Sequence, residues 1–253
     1  MVVLSISVDI SVLVRIERDD LMTEDDLLSG ELVVEGRLVD ASNATLYGFV
    51  QQDTSKRINV VYKPVAGERP LWDFPDGNLA SREVAAYLIS KHAGLDCVPT
   101  TVMREGPFGI GAVQEWIDVD EEIDFIEFAQ QPHRDIRRIA LFDVMINNTD
   151  RKFGHILINQ QKRVFGCDHG VSFHEDFKLR TVLWQFAGEG LYQEELEIVK
   201  NVQEWIASPA SQYFRSLLTE DEVGACIERL NSLSEEGFPF PSDEWPAVPW
   251  PPV

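Results

Sequence analysis

The chain has 253 residues, 44% hydrophobic and 10% aromatic, enough for one large domain or two small lobes with cores of their own. Its formal net charge of -21 repels nucleic-acid phosphates and anionic lipid headgroups, which argues against nucleic acid and membrane surfaces as partners. Three scattered cysteines, Cys97, Cys167 and Cys226, with no CxxC spacing, fit a reducing compartment, and the expected location is the cytoplasm.

Residues 1–14 alternate apolar and polar and lack a basic start, so they read as a strand rather than a leader or a membrane span. An acidic stretch over 17–26 follows, in which Thr23-Glu24-Asp25-Asp26 has the form of a helix start that Gly30 would end. Strand-like runs occupy 31–39, 45–51 and 57–62, the first two joined by the tight connection Asp40-Ala41-Ser42-Asn43-Ala44. Residues 79–92 carry Val84, Tyr87, Leu88 and Lys91 at helical spacing and predict an amphipathic helix. Apolar runs at 99–103 and 111–117 complete an expected five-stranded sheet with one helix.

The second half changes character. Helices are expected at 123–130 and 133–146, then two short strands at 155–159 and 162–167. Helices at 193–207, 209–218 and 220–232 follow, with Ser208 capping the second ahead of Pro209. Residues 237–253 hold six prolines and two tryptophans, which predicts an extended surface tail and a candidate protein-binding element. The expected fold class is α+β: an N-terminal lobe over 1–116, a mostly helical lobe over 117–236, and the tail over 237–253.

Phosphoryl transfer needs a lysine on the phosphates, a carboxylate to position it, a carboxylate to orient the attacking hydroxyl and another to hold metal. The chain offers each in order. Lys63 ends the third strand-like run and Glu83 lies twenty residues later in the helix. Asp150 closes Asn147-Asn148-Thr149-Asp150 after a buried helix, and Asp168 leaves the second short strand just before Gly170. Carboxylates at the two ends of one hairpin would converge on a cation such as Mg²⁺, which prefers oxygen ligands.

Segments 146–157 and 167–170, together with Gln114-Glu115-Trp116-Ile117, resemble type II phosphatidylinositol 4-kinases and related lipid-kinase-like bacterial proteins, and more distantly HipA-type kinases. The resemblance implies a two-lobed protein-kinase-like fold that binds ATP with Mg²⁺ or Mn²⁺. It implies Asp150 as catalytic aspartate, Asp168 on metal, Lys63 and Glu83 as the phosphate-side pair, and Gln114, Trp116 and Ile117 at the adenine. Lys152, two residues after Asp150, would neutralise the transferred group. Two departures stand out. His155 occupies the place where the family has a metal-binding asparagine, and imidazole suits Mn²⁺ or Zn²⁺ better than Mg²⁺. The first hairpin has Ser42, Asn43 and Ala44 where a glycine-rich loop would approach phosphates.

Taken singly, each residue has an ordinary structural reading: Lys63 as a solvated strand end, Glu83 as a helix-surface carboxylate, and the Asn/Asp clusters as turns. Arg134, Arg137, Arg138 and Arg151 read as a solvated basic face. Three functions stay open: a phosphotransferase acting on a lipid, protein or small-molecule alcohol; a nucleotide-binding pseudokinase; and a metal-dependent phosphohydrolase built on Asp150, His155, Asp168 and His169.

Overall fold

The computed structural model describes residues 22–38, 43–52 and 57–253. The strand expected over 1–14, the acidic residues before 22 and Ser42 lie outside the described residues. Helix α1 (Glu24–Leu28) starts as its sequence requires: Thr23 Oγ1 accepts from the Asp26 amide while the Asp26 carboxylate takes the Thr23 amide.

Strands β1 (Glu31–Arg37), β2 (Leu46–Gln51), β3 (Arg57–Pro64), β4 (Thr101–Gly106) and β5 (Gly109–Glu115) form one antiparallel sheet in the order β1-β2-β3-β5-β4. Strand alternation divides its faces. Leu32, Val50, Ile58, Val60, Tyr62, Val102 and Val113 form a small core on one face, which Leu27 of α1 closes. Val61 and Lys63 consequently point to the other face, toward the helical half. The last two strands are offset from expectation. The chain turns at Pro107–Phe108, between the paired Gly106 and Gly109, with Gly109 at φ +92°; Gly106-Pro107 and Gly109 are the local signals for that turn.

Helix α2 (Leu79–His92) is capped twice, by the Asn78 side chain on the Ser81 amide and by the Glu68 carboxylate on the amides of Leu79 and Ala80. It is not amphipathic. Every residue from Ala80 to Ser90 is buried, because the helix is wedged between the sheet and the helical lobe, so even Arg82 and Glu83 are enclosed. That burial demands partners for both charges.

The helical half contains α3 (Phe125–Gln130), α4 (Arg134–Ile146), the hairpin β6 (Ile156–Ile158) and β7 (Val164–Gly166), then α5 (Gln193–Ala207), α6 (Gln212–Ser216) and α7 (Glu220–Glu236). Residues 209–211 form a 3-10 turn ahead of α6, capped by Ser208. A single large core joins α2 to α4, α5 and α7 through Ile89, Phe142, Val199 and Leu230. Among the described residues no helix is long and apolar enough to cross a membrane. The tail over 237–253 is extended and packs back on the helical half, with the Gly188 amide donating to the Phe238 carbonyl and the Thr181 amide to the Ala247 carbonyl.

Candidate active site

A cleft of about 1120 Å³ separates the sheet from the β6–β7 hairpin. Val61 and Lys63 of β3, the 114–122 crossover, His155, Leu157, Cys167 and Asp168 line it. At its inner end Lys63 joins three elements. Its Nζ donates to Glu83 Oε1 on α2 and, at 2.8 Å, to Asp168 Oδ1 just beyond β7. Burial alone would lower the Lys63 pKa; the Asp168 and Glu83 carboxylates more than reverse this and hold it raised. The second Glu83 oxygen accepts the His169 amide at 3.0 Å, so both of its oxygens are used in fixing strand, helix and loop together.

The turn after α4 is built from Asn147 and Asn148. Asn147 sits at φ +52°, in the left-handed region that Asn tolerates well, and its side chain anchors 174–178. Asn148 Oδ1 accepts the Asp150 amide at 3.0 Å, which turns the Asp150 carboxylate outward. Lys152 Nζ lies 3.1 Å from Asp150 Oδ2. Both side chains are partly exposed, beside the cleft rather than inside it.

His155 Nδ1 lies 3.0 Å from the Asp150 carbonyl, which can only accept, so Nδ1 carries the proton. Burial lowers the His155 pKa and keeps the ring neutral. Its Nε2 lone pair therefore faces Asp168 Oδ2 at 3.4 Å. The Lys63 charge holds the Asp168 pKa well below the carboxylate range, so no proton bridges the two. Two donors facing each other without a proton form a seat that a divalent cation would satisfy. Among the described residues no set of three or more His, Cys, Asp or Glu side chains is arranged to hold a metal ion. Asp168 itself sits at φ +62°, a conformation that aims it into the cleft.

At the crossover, Gln114 is buried and its amide donates to Thr101 Oγ1 at 2.8 Å. The Trp116 amide is taken by the Asn59 carbonyl, whereas among the described residues no protein acceptor takes the Ile117 amide, which lines the cleft. Asn43 and Ala44 do not reach the cleft. Asn43 Oδ1 accepts the Arg69 amide and the Ala44 amide donates to the Gly67 carbonyl, so both fasten the hairpin to the turn after β3. Thr45 and Leu38 line the cleft in their place.

Sequence reasoning missed the scaffold beneath these groups. Arg151 is completely buried, not part of a solvated face. It donates to both Asp143 oxygens, to the carbonyls of His155 and Cys167 at 3.0 Å each, and lies 2.7 Å from His169 Nε2. Arg137 is buried likewise and pairs with Glu195 and Glu189. The available signal was Asp143, a carboxylate within the apolar face of a buried helix, which needs a cationic partner. His169, which only the phosphohydrolase reading would place on metal, is fully buried with a pKa well below its ordinary value through burial and the neighbouring Arg151 charge.

No family model matches the chain. Two solved structures share its fold: hydra Fam20 with sugar, at TM-score 0.54 and 14% identity over 84% of this chain and 86% of that one, and the Golgi casein kinase with Mn/ADP bound, at 0.53 and 13% over 84% and 74%. The rice protein Phosphatidylinositol 4-kinase gamma 4 is 27% identical over 129 residues, which is 44% of this chain and only 23% of the rice protein. Protein Rv2133c of Mycobacterium tuberculosis is 39% identical over 89% of this chain and 93% of its own length. This chain belongs to the same family as Rv2133c and has the fold of the atypical, phosphatidylinositol-kinase-like kinases.

Proposed function

We propose that the protein is an ATP-dependent phosphotransferase that moves the γ-phosphoryl group of ATP to an alcohol. The observation that carries this reading is the convergence of Lys63, Glu83 and Asp168 from three separate elements at one end of a nucleotide-sized cleft. In this reading the 1–116 and 117–236 lobes clasp the nucleotide between them. The adenine docks on the crossover, where the Ile117 amide supplies a donor. Lys63, positioned by Glu83, holds the α and β phosphates. Asp150 orients the acceptor hydroxyl and takes its proton as the new O–P bond forms and the bond to the ADP oxygen breaks. Lys152 offsets the charge that spreads over the transferred group. Mg²⁺ or Mn²⁺, held by Asp168 and His155, would supply charge neutralisation at the phosphates, and the Mn/ADP in the related casein kinase structure supports that choice. A cytoplasmic location accompanies this reading. The acceptor is a lipid, protein or small-molecule hydroxyl; the net charge of -21 favours the latter two.

The test is ADP release with Mn²⁺ or Mg²⁺ by the wild-type chain and by Asp168→Ala. We expect metal-dependent release that falls by roughly a hundredfold or more in the variant, since one charge-stabilising group at a phosphoryl-transfer site is worth that much. Equal rates in both proteins would overturn the assignment. The second reading, a nucleotide-binding pseudokinase, is favoured by His155 and by the existing Lys63–Asp168 ion pair, and it predicts ATP binding without release.

A further inference from the structure

The tail over 237–253 does not merely lie on the surface. It closes on the 150–155 loop at two points. At the first, the Ala247 carbonyl accepts from the Thr181 amide at 3.0 Å and from Trp184 Nε1 at 2.7 Å. Thr181 belongs to the segment that pairs with Arg151: the Arg151 amide donates to the Arg180 carbonyl and the Val182 amide to the Arg151 carbonyl. At the second, five residues further on, the Pro252 carbonyl accepts the Phe153 amide at 2.8 Å. Val253 ends against Gly154, where an added Cβ would stand 4.0 Å from the Val253 carbonyl carbon. Phe153 and Gly154 are the residues between Lys152 and His155.

The loop needs such support. The 3-10 turn Phe153–His155 has no side-chain cap on its first residue, and a short 3-10 turn holds itself weakly. The Phe153 amide is one of its orphan donors, and the tail satisfies it. Pro249, Pro251 and Pro252 limit the conformations of the strap, so holding the loop costs little ordering entropy. The strap also leaves the chemistry accessible. No tail residue lines the cleft, and no tail group hydrogen-bonds the Asp150 or Lys152 side chain.

We propose that residues 247–253 act in cis as a positioning strap, holding the 152–155 turn so that Lys152 and His155 stand correctly about Asp150. This rests on the phosphotransferase reading and assigns the tail a role inside the site rather than toward a separate protein. The reverse role, a tail that blocks the acceptor, is an outcome of the test.

Two variants serve: a chain ended at Trp250, and the full-length Pro251→Gly/Pro252→Gly chain, which keeps every carbonyl but loosens the strap. Hydrogen exchange at the Phe153 amide should speed at least tenfold in the shortened chain and by less in the double-glycine chain, while α2 exchanges as before. ATP affinity titrated without added divalent metal should stay within twofold, because Lys63, Glu83 and the crossover are untouched. ADP release should fall tenfold or more, in line with the sensitivity of such sites to displacements near 1 Å. Unchanged exchange, unchanged release or faster release would each overturn the strap. Should the shortened chain fail to fold, the double-glycine chain decides by the same readouts. Should the wild type release no ADP, the phosphotransferase reading fails, whereas exchange at Phe153 still decides whether the strap holds the turn.

Discussion

Arg151 shows how much of the site rests on one side chain that touches no reactant. Its guanidinium is fully buried and binds Asp143 through two nitrogens, two loop carbonyls and an imidazole. The fork geometry is specific to arginine; a lysine ammonium cannot span these acceptors. Gly166 follows from the same packing, since a Cβ there would stand 2.8 Å from Arg151 Nη2. Arg151→Lys should cost roughly 3–5 kcal/mol in urea unfolding, the range for breaking a buried ion pair. A loss under about 1 kcal/mol would mean that lysine or water fills the space. In the sequence Arg151 looked like its neighbours, because three other arginines lie in the seventeen residues before it and local order does not tell a buried guanidinium from a solvated one.

The elements themselves were largely legible. The strands at 31, 46 and 57 and the helices at 79, 134 and 193 begin within one residue of the sequence expectation, because alternation, caps and glycines are local signals. What periodicity could not give was the environment of each element. Helix α2 is enclosed on all sides, and the end of β5 is buried under the start of the described chain. There Glu115 Oε2 is buried with no hydrogen-bond partner among the described residues, and burial pushes the Glu115 pKa up from 4.5 to about 7. The folded form thus holds a proton that the unfolded chain releases near pH 4.5, so this residue costs stability as the pH rises from about 4.5 to about 7. Glu115→Gln should leave stability nearly unchanged at pH 4.5 and raise it by roughly 1–3 kcal/mol at pH 8, since each tenfold change in proton affinity is worth about 1.4 kcal/mol. Urea midpoints at the two pH values test this; an equal difference at both would show that the carboxylate is not the cause.

Across the whole molecule the two lobes are joined by charges that the chain keeps far apart. Lys63 meets Asp168 across 105 residues, and Arg82 of α2 meets Glu222 of α7 across 140, both of the latter nearly out of water. Arg82 also rests over the Phe74 ring. Since α2 carries Glu83 one residue further on, this tether fixes the helix that positions Lys63. Glu222→Gln removes one charge of a buried pair and should lower stability by roughly 3–5 kcal/mol. It should also weaken ATP binding, read by titration at a temperature where the variant remains folded. Full ATP affinity in a destabilised variant would show that α2 keeps its place without the tether.

Local signals in the chain dictated the order of the elements, the α+β class, the placing of Glu83 within a helix and that of Lys63, Asp150, His155 and Asp168 at or just beyond element ends, because strand alternation, helix caps and turn residues act over a few positions. Tertiary packing alone decided that Asn43 and Ala44 fasten the hairpin to the turn after β3, that Arg151 lies beneath the loop, that the Ile117 amide finds no acceptor among the described residues, and that the tail returns to Phe153. Those outcomes depend on which groups are left without water when distant elements pack, and a buried polar group takes whichever partner the fold brings to it, however far along the chain.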